Sequence, residues 1–191
     1  NSIVIMGPSG IGKTSLLRVI GGLWPANGGV ITKPFKYGRD GLMFLPQKPY
    51  LTFDTLEAQI IYPSSMYQAL EVDKDWNYDV FVELLREVGL EYILKLFPDR
   101  SEVRNWSQVL SGGEQQRLCI ARILYHLPAV VVMDESTNSM DEPVEQQVFL
   151  ALKKRGIGLL SVAHRSTVKQ FHDHVLIVDR DGKWKMELAT K

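Results

Sequence analysis

Gly7-Pro8-Ser9-Gly10-Ile11-Gly12-Lys13-Thr14 is the stretch that decides how this chain folds. An apolar run, Ile3 to Met6, precedes it, and a helix-like run from Lys13 to Ile20 follows. The spacing G-x-x-x-x-G-K-T between a strand and a helix predicts a phosphate-binding loop. Glycines let the backbone curl so that successive N–H groups face one anion. The start of the helix adds the positive end of its dipole. Lys13 then supplies a charge for the β- and γ-phosphates, Thr14 a hydroxyl for Mg²⁺, and Ser15 a donor for the α-phosphate.

Working outward, the chain alternates strands and helices. Leu42 to Leu45 reads as a second strand, stopped by Pro46, with Gln47 directly after it. A short strand is expected at Val30-Ile31, inside a Gly-, Pro- and Asn-rich stretch over residues 26–41. Val80, Phe81, Leu84, Leu85 and Val88 recur at helical spacing, with Asn77 as N-cap and Gly89 as stop. A second helical piece is expected from Glu91 to Phe97. Residues 51–110 therefore read as a mostly helical insert whose aromatic residues build a core. Leu110-Ser111-Gly112-Gly113-Glu114-Gln115 opens a helix reaching about Tyr125. Ala129 to Met133 is an apolar strand with Asp134-Glu135 at its end. Asp141-Glu142-Pro143 starts another helix. Strands at Ile157 to Val162 and Val175 to Val178 follow, the second turning back at Asp181-Gly182.

This alternation implies a parallel sheet with helices on both faces. Ligands bind at the carboxyl edge of such sheets. The phosphate loop, Asp134-Glu135 and His164 each follow the carboxyl end of a different strand, so three distant stretches converge on one crevice. Asp134 is placed to hold Mg²⁺ opposite Thr14. Glu135 is placed to act as general base for a water attacking the γ-phosphate. Gln47 has an amide that can contact both Mg²⁺ and that water, and His164 can bond the γ-phosphate, although by themselves an ordinary exposed glutamine and a structural histidine are the commoner roles for such positions. Ser111 to Glu114 has the form of a capping box. Two adjacent glycines cost helix stability, about 1 kcal/mol each relative to alanine. They suggest that Ser111, Gly112 and Gly113 also form an anion site, closing over the nucleotide of another subunit.

Composition sets the remaining bounds. The 191 residues carry 22 basic and 22 acidic side chains, without a basic stripe, so no nucleic-acid partner is expected. The single cysteine, Cys119, cannot form an internal disulfide and is expected to pack. His126, His172 and His174 are expected at the surface or in packing. No apolar run approaches a membrane span. The chain starts one strand before the loop and without methionine, the expectation for a piece of a longer protein.

Taken together, these motifs resemble the nucleotide-binding domain of an ATP-binding cassette (ABC) transporter across nearly the whole chain. The phosphate loop, Gln47, the signature Leu110 to Gln115, the strand Val130 to Glu135, a D-loop at Asn138 to Asp141 and a switch histidine at His164 fall in the family's order. Asn138 departs from the usual D-loop serine, and Met140 from its leucine. Gly21-Gly22-Leu23-Trp24-Pro25, Phe44 to Tyr50, Ile61-Tyr62-Pro63 and Trp106 resemble subfamily D, the peroxisomal and lysosomal half-transporters, and their bacterial relatives.

The resemblance implies a P-loop NTPase core, residues 1–50 with 111–191, plus a helical subdomain, 51–110. It also implies antiparallel strands and an adenine-stacking aromatic upstream of Asn1, and so weak adenine binding by these residues alone. The expected cofactors are ATP and Mg²⁺. The expected partners are a second, identical or different, nucleotide-binding domain and a membrane domain in the same full-length chain. ATP closes the pair, and hydrolysis reopens it to move fatty acyl-CoA-like or other amphipathic cargo. The expected location is the cytosolic side of a peroxisomal, lysosomal or bacterial inner membrane. A soluble ABC ATPase of DNA repair or translation, and a regulatory module that does not hydrolyse, are the alternatives.

Overall fold

In the computed structural model, residues 2–33, 41–72 and 76–189 are described. The chain runs β1 (Ile3–Met6), α1 (Lys13–Ile20), β2 (Leu42–Leu45), β3 (Phe53–Asp54), α2 (Leu56–Ile61), α3 (Met66–Val72), α4 (Tyr78–Glu87) and α5 (Ile93–Leu96). It continues with β4 (Arg104–Asn105), α6 (Trp106–Val109), α7 (Gly112–His126), β5 (Val130–Asp134), α8 (Glu142–Lys154), β6 (Gly158–Val162), a 3₁₀ turn (Ser166–Phe171), β7 (His174–Val178) and β8 (Trp184–Leu188). By contact these form two compact units: Asn1–Gln47, Pro128–Asn138 and Gly156–Lys191; and Lys48–Leu127 with Ser139–Arg155.

The first unit is a six-stranded sheet of order β2-β5-β6-β1-β7-β8. Every pairing is parallel except β7 with β8, the hairpin turning at Asp181-Gly182. Its five parallel strands are short, mostly apolar runs, as buried parallel strands require, whereas β8 is exposed along its length. Ile5, Leu17, Leu42, Val132 and Val162 form its core, with Phe44, Leu160, Leu176 and Val178 packed against them. Leu17 brings α1 onto that core, and Gly21 ends the helix where a Cβ would lie 2.8 Å from the Phe44 ring. The phosphate-loop α/β fold expected from sequence is therefore the one observed. His172 is buried between two elements of this unit: Nδ1 donates to the Val168 carbonyl at 2.9 Å and Nε2 shares a hydrogen bond with Ser161 Oγ at 3.0 Å.

No strand forms at Val30-Ile31, contrary to expectation. Val30 is 92 % exposed, and no neighbouring strand among the described residues offers it a ladder, without which an isolated strand is unstable. Part of that Gly-rich stretch, residues 34–40, lies outside the described residues.

The second unit is mostly helical. α4 is capped by Asn77, whose side chain accepts from the N–H groups of Asp79 and Val80, and the chain turns at Gly89 (φ 67°). That turn shortens the next helix: Glu91 to Phe97 reduces to Ile93–Leu96. Phe81, Leu84, Leu85, Leu90 and Ile93 are fully buried with Leu118, Leu124, Phe149 and Leu152. α7 and α8, which the sequence reading groups with the sheet, group by contact with the helices of the insert. One face of α7 holds the α2 segment by its carbonyls. Arg122 donates to Gln59 O (2.7 Å) and Tyr50 O (3.1 Å), and His126 bonds Tyr62 O at 2.7 Å. Cys119, a free thiol on the same face, is buried, and burial pushes its pKa up. Not every aromatic of the insert is core: Phe53 is 72 % exposed.

Trp106 joins burial to a polar contact. It is 1 % exposed, stands edge-on to Phe97 at 5.3 Å, and donates Nε1–H to the Asp54 carbonyl at 2.8 Å. Replacing it with phenylalanine keeps most of the apolar area but removes that bond to the exposed Asp54, at a cost of about 0.5–1.5 kcal/mol. Trp106→Phe should lower the urea midpoint measured by circular dichroism; an unchanged midpoint would show that the bond contributes nothing.

Candidate nucleotide-binding site

The site in the first unit is built on the ends of four parallel strands, β1, β2, β5 and β6. β1 runs into Gly7 and the loop, which reaches α1 through Gly12, an N-cap with φ 93°. Gly7 admits no side chain, since a Cβ there would sit 2.3 Å from the Val178 carbonyl oxygen and 2.7 Å from Ile11 Cδ1. Pro8, Ser9, Gly10 and Gly12 are exposed, leaving the loop open to a ligand. Lys13 is only 7 % exposed, and its Nζ donates to the carbonyls of Gly7 (2.9 Å) and Pro8 (2.8 Å). The ammonium is thus clasped by its own loop. Ser15, beside it, is half-buried.

Thr14 Oγ1 donates to Asp134 Oδ1 at 2.8 Å. Asp134 is 3 % exposed at the end of β5. Among the described residues, no group of three or more His, Cys, Asp or Glu side chains is arranged to hold a metal by itself. Thr14 and Asp134 offer two hard oxygen donors beside the phosphate loop. That donor set suits Mg²⁺, which keeps several waters and shares itself between one or two carboxylates and substrate phosphates.

Glu135 is the centre of a second cluster. His164 Nε2 donates to its Oε1 at 2.8 Å, Asn138 Nδ2 to its Oε2 at 3.1 Å, and Gln47 Nε2 to the same Oε2 at a longer 3.4 Å. The backbone of Glu135 is left-handed, φ 49°, a conformation that costs a non-glycine residue about 1–2 kcal/mol. Its N–H is bonded to Val162 O, and its carbonyl accepts from Asn138 N–H. Strain of this kind, held by its surroundings, clusters at functional sites.

Two of these participants escaped the sequence reading as site residues. Asn138 figures there only as a D-loop departure, although an amide three residues beyond Glu135 in a turn can reach its carboxylate. Arg165, whose guanidinium donates to Asn138 O at 3.1 Å, carries no sequence signal beyond following His164.

Ser111, Gly112 and Gly113 lie in the second unit, at the start of α7. Both halves of the capping box are present: Ser111 Oγ accepts from Glu114 N–H (3.4 Å), and Glu114 Oε2 accepts from Ser111 N–H (2.6 Å). The glycine pair divides in its causes. A Cβ on Gly113 would meet Ser139 O at 2.9 Å, a packing reason, whereas one on Gly112 would make only an ordinary 3.9 Å contact. Packing thus accounts for Gly113 but leaves Gly112 free for another purpose. A cleft lined by Ser111, Gly112, Gly113, Arg117, Ser139 and Asp141 opens at this helix end.

A strand, a glycine loop and a helix, with a threonine and a buried aspartate brought together from two strand ends, define a P-loop nucleotide-binding domain. The model of the ABC transporter family matches residues 1–138, and the chain belongs to that family. It is 40 % identical over 98 % of its length to ABC transporter D family member 3 of Dictyostelium discoideum. It is 38 % identical over its whole length to human ATP-binding cassette sub-family D member 3. An uncharacterised ABC transporter ATP-binding protein of Synechocystis is 40 % identical over 97 % of the chain. The chain covers 25 %, 28 % and 27 % of those proteins, about a quarter of their length. A bacterial Atm1-family ABC exporter, solved with ATP bound, shares the fold: TM-score 0.72, 24 % identity, over 93 % of this chain and 32 % of the exporter's.

Gly7→Ala should cost about 1–3 kcal/mol through the enforced shift of Val178 and the loop. The matching readout is a lower unfolding midpoint together with weaker nucleotide binding in calorimetry. Retention of both would mean that the loop does not need the close approach.

Proposed function

We propose that this chain is the ATP-binding and ATP-hydrolysing domain of a subfamily D-type ABC transporter, working as one of a pair. The observation that carries this reading is the grip on Glu135 by His164, Gln47 and Asn138 beside the Thr14–Asp134 contact. Residues Gly7 to Ser15 cradle the triphosphate, with Lys13 exchanging its loop carbonyls for phosphate oxygens. Thr14, Asp134 and Gln47 are the residues that would hold Mg²⁺, which supplies neutralisation of phosphate charge. Glu135 takes a proton from water as the water oxygen attacks the γ-phosphorus. The bond to the β–γ bridging oxygen breaks, leaving ADP and inorganic phosphate. For this, Glu135 gives up at least one of its present donors to the water. His164, freed, steadies the γ-phosphate.

In this reading Ser111 to Gly113 of one copy close over the triphosphate held by another. The Gly112 position, where a Cβ meets only ordinary contact, supports this, since bare N–H groups at a helix start suit an anion. Residues 51–110, as the helical subdomain, and the Gln47 region pass closure to a membrane domain elsewhere in the full-length protein. Among the described residues, no helix is long and apolar enough to cross a membrane. The subfamily D resemblance of the motifs extends this reading to amphipathic, fatty acyl-CoA-like cargo and to the cytosolic face of an organellar or bacterial inner membrane, and the similarity to D family members fits the subfamily. It does not favour a soluble ATPase of DNA repair or translation.

Glu135→Gln should retain ATP binding in calorimetry and lose about 10²–10⁴-fold in phosphate release, the usual contribution of a positioned general base. Turnover equal to the parent would remove Glu135 from the role.

A further inference from the structure

The turn after α4 is fastened to the first two turns of α7 by side chains that the proposed mechanism leaves unused. Tyr92 donates its phenol O–H to Glu114 Oε1. Arg117 donates to Gly89 O at 2.8 Å. Glu114 is the same residue whose other oxygen accepts the Ser111 N–H. Its carboxylate therefore has one oxygen in the capping box and one on Tyr92. We propose that Tyr92 is a positioning residue for the Ser111–Gly113 end of α7, holding the Glu114 carboxylate in the capping box so that this helix end remains open to a nucleotide phosphate. The inference rests on the reading that Ser111 to Gly113 contact nucleotide.

Two physical consequences follow from that geometry. The first concerns Ser111. Its Oγ accepts the Glu114 N–H, so the hydroxyl proton is left to donate elsewhere, the orientation an incoming anion needs. This lasts only while Glu114 stays at its station. The second concerns charge. An acidic side chain near a phosphate subsite repels the ligand, and it does so less when its oxygens are engaged by donors. Burial alone would raise the carboxyl pKa of Glu114. The bonds from Ser111 and Tyr92, with Arg117 nearby, outweigh it and bring the carboxyl below its ordinary range. Glu114 is thus a fixed anion that must be kept pointing at its donors. Burial, and then the bond to Glu114, push the Tyr92 phenol above its ordinary pKa, so the O–H remains a donor at neutral pH.

The test is a double-mutant cycle in the Glu135→Gln chain, with ATP-driven self-association measured by sedimentation velocity. Tyr92→Phe removes one oxygen and little volume. The expected result is association weakened about 3–10-fold, in line with loss of a partly exposed charge-assisted hydrogen bond, with ATP affinity of the single chain and the unfolding midpoint unchanged. In a Glu114→Ala background the acceptor is gone, and Tyr92→Phe should then have no further effect. An equal weakening in both backgrounds overturns the proposal, because the phenol would not be acting through Glu114. Full association by Tyr92→Phe, while Ser111→Ala weakens it, overturns the proposal and leaves the Ser111–Gly113 reading intact. Failure of Ser111→Ala to alter association, or a parent that does not associate with ATP, overturns that reading and the Tyr92 inference with it.

Discussion

Thr14 and Asp134 are 120 positions apart in the chain and 2.8 Å apart in space. That one hydrogen bond states the constraint on the first unit. β1 and β5 are not neighbours; β6 lies between them in the sheet. Their axes are therefore separated by two strand spacings, roughly 9.5 Å. The gap closes only because α1 begins at the carboxyl edge and carries Thr14 on its first turn. A parallel sheet puts all its strand ends on one side, and the helix start supplies the reach. The Glu135 cluster obeys the same geometry: Gln47 comes from the end of β2, Glu135 from β5 and His164 from beyond β6.

Much of this was legible in residue order. The strand–loop–helix over Ile3 to Ile20, the apolar β5 ending in Asp134, and the hairpin at Asp181-Gly182 are local patterns with one physical solution each. Asn77 and Ser111 cap because their side chains are built for it. What was not legible depends on tertiary surroundings. Val30 and Ile31 have strand-forming side chains, but propensity does not supply a ladder partner. The left-handed backbone of Glu135 has no composition signal. Neither has the inward pull of Lys13, which follows from the carbonyls that a curled loop turns toward its own centre.

The signature helix shows how one residue can have several reasons. Ser111 and Glu114 satisfy each other as a cap. Gly113 is small because Ser139 passes close. Arg117 and Glu114 fasten the turn after α4. Only Gly112 is without a reason inside the second unit. A structural explanation is therefore complete for most of the motif, and the remainder is where a ligand-based explanation has to be sought.

The account stands on Thr14 and Asp134 acting as one unit on the metal-bound triphosphate. The direct measurement is Mg·ATP affinity by calorimetry for the parent, Thr14→Val, Asp134→Asn and the double variant, each repeated with EDTA in place of Mg²⁺. The prediction is that each single change removes most of the Mg²⁺-dependent gain in affinity and that the double change removes little more. Independent, additive losses that persist without the metal would contradict it, because the two residues would then be serving the fold rather than the ligand.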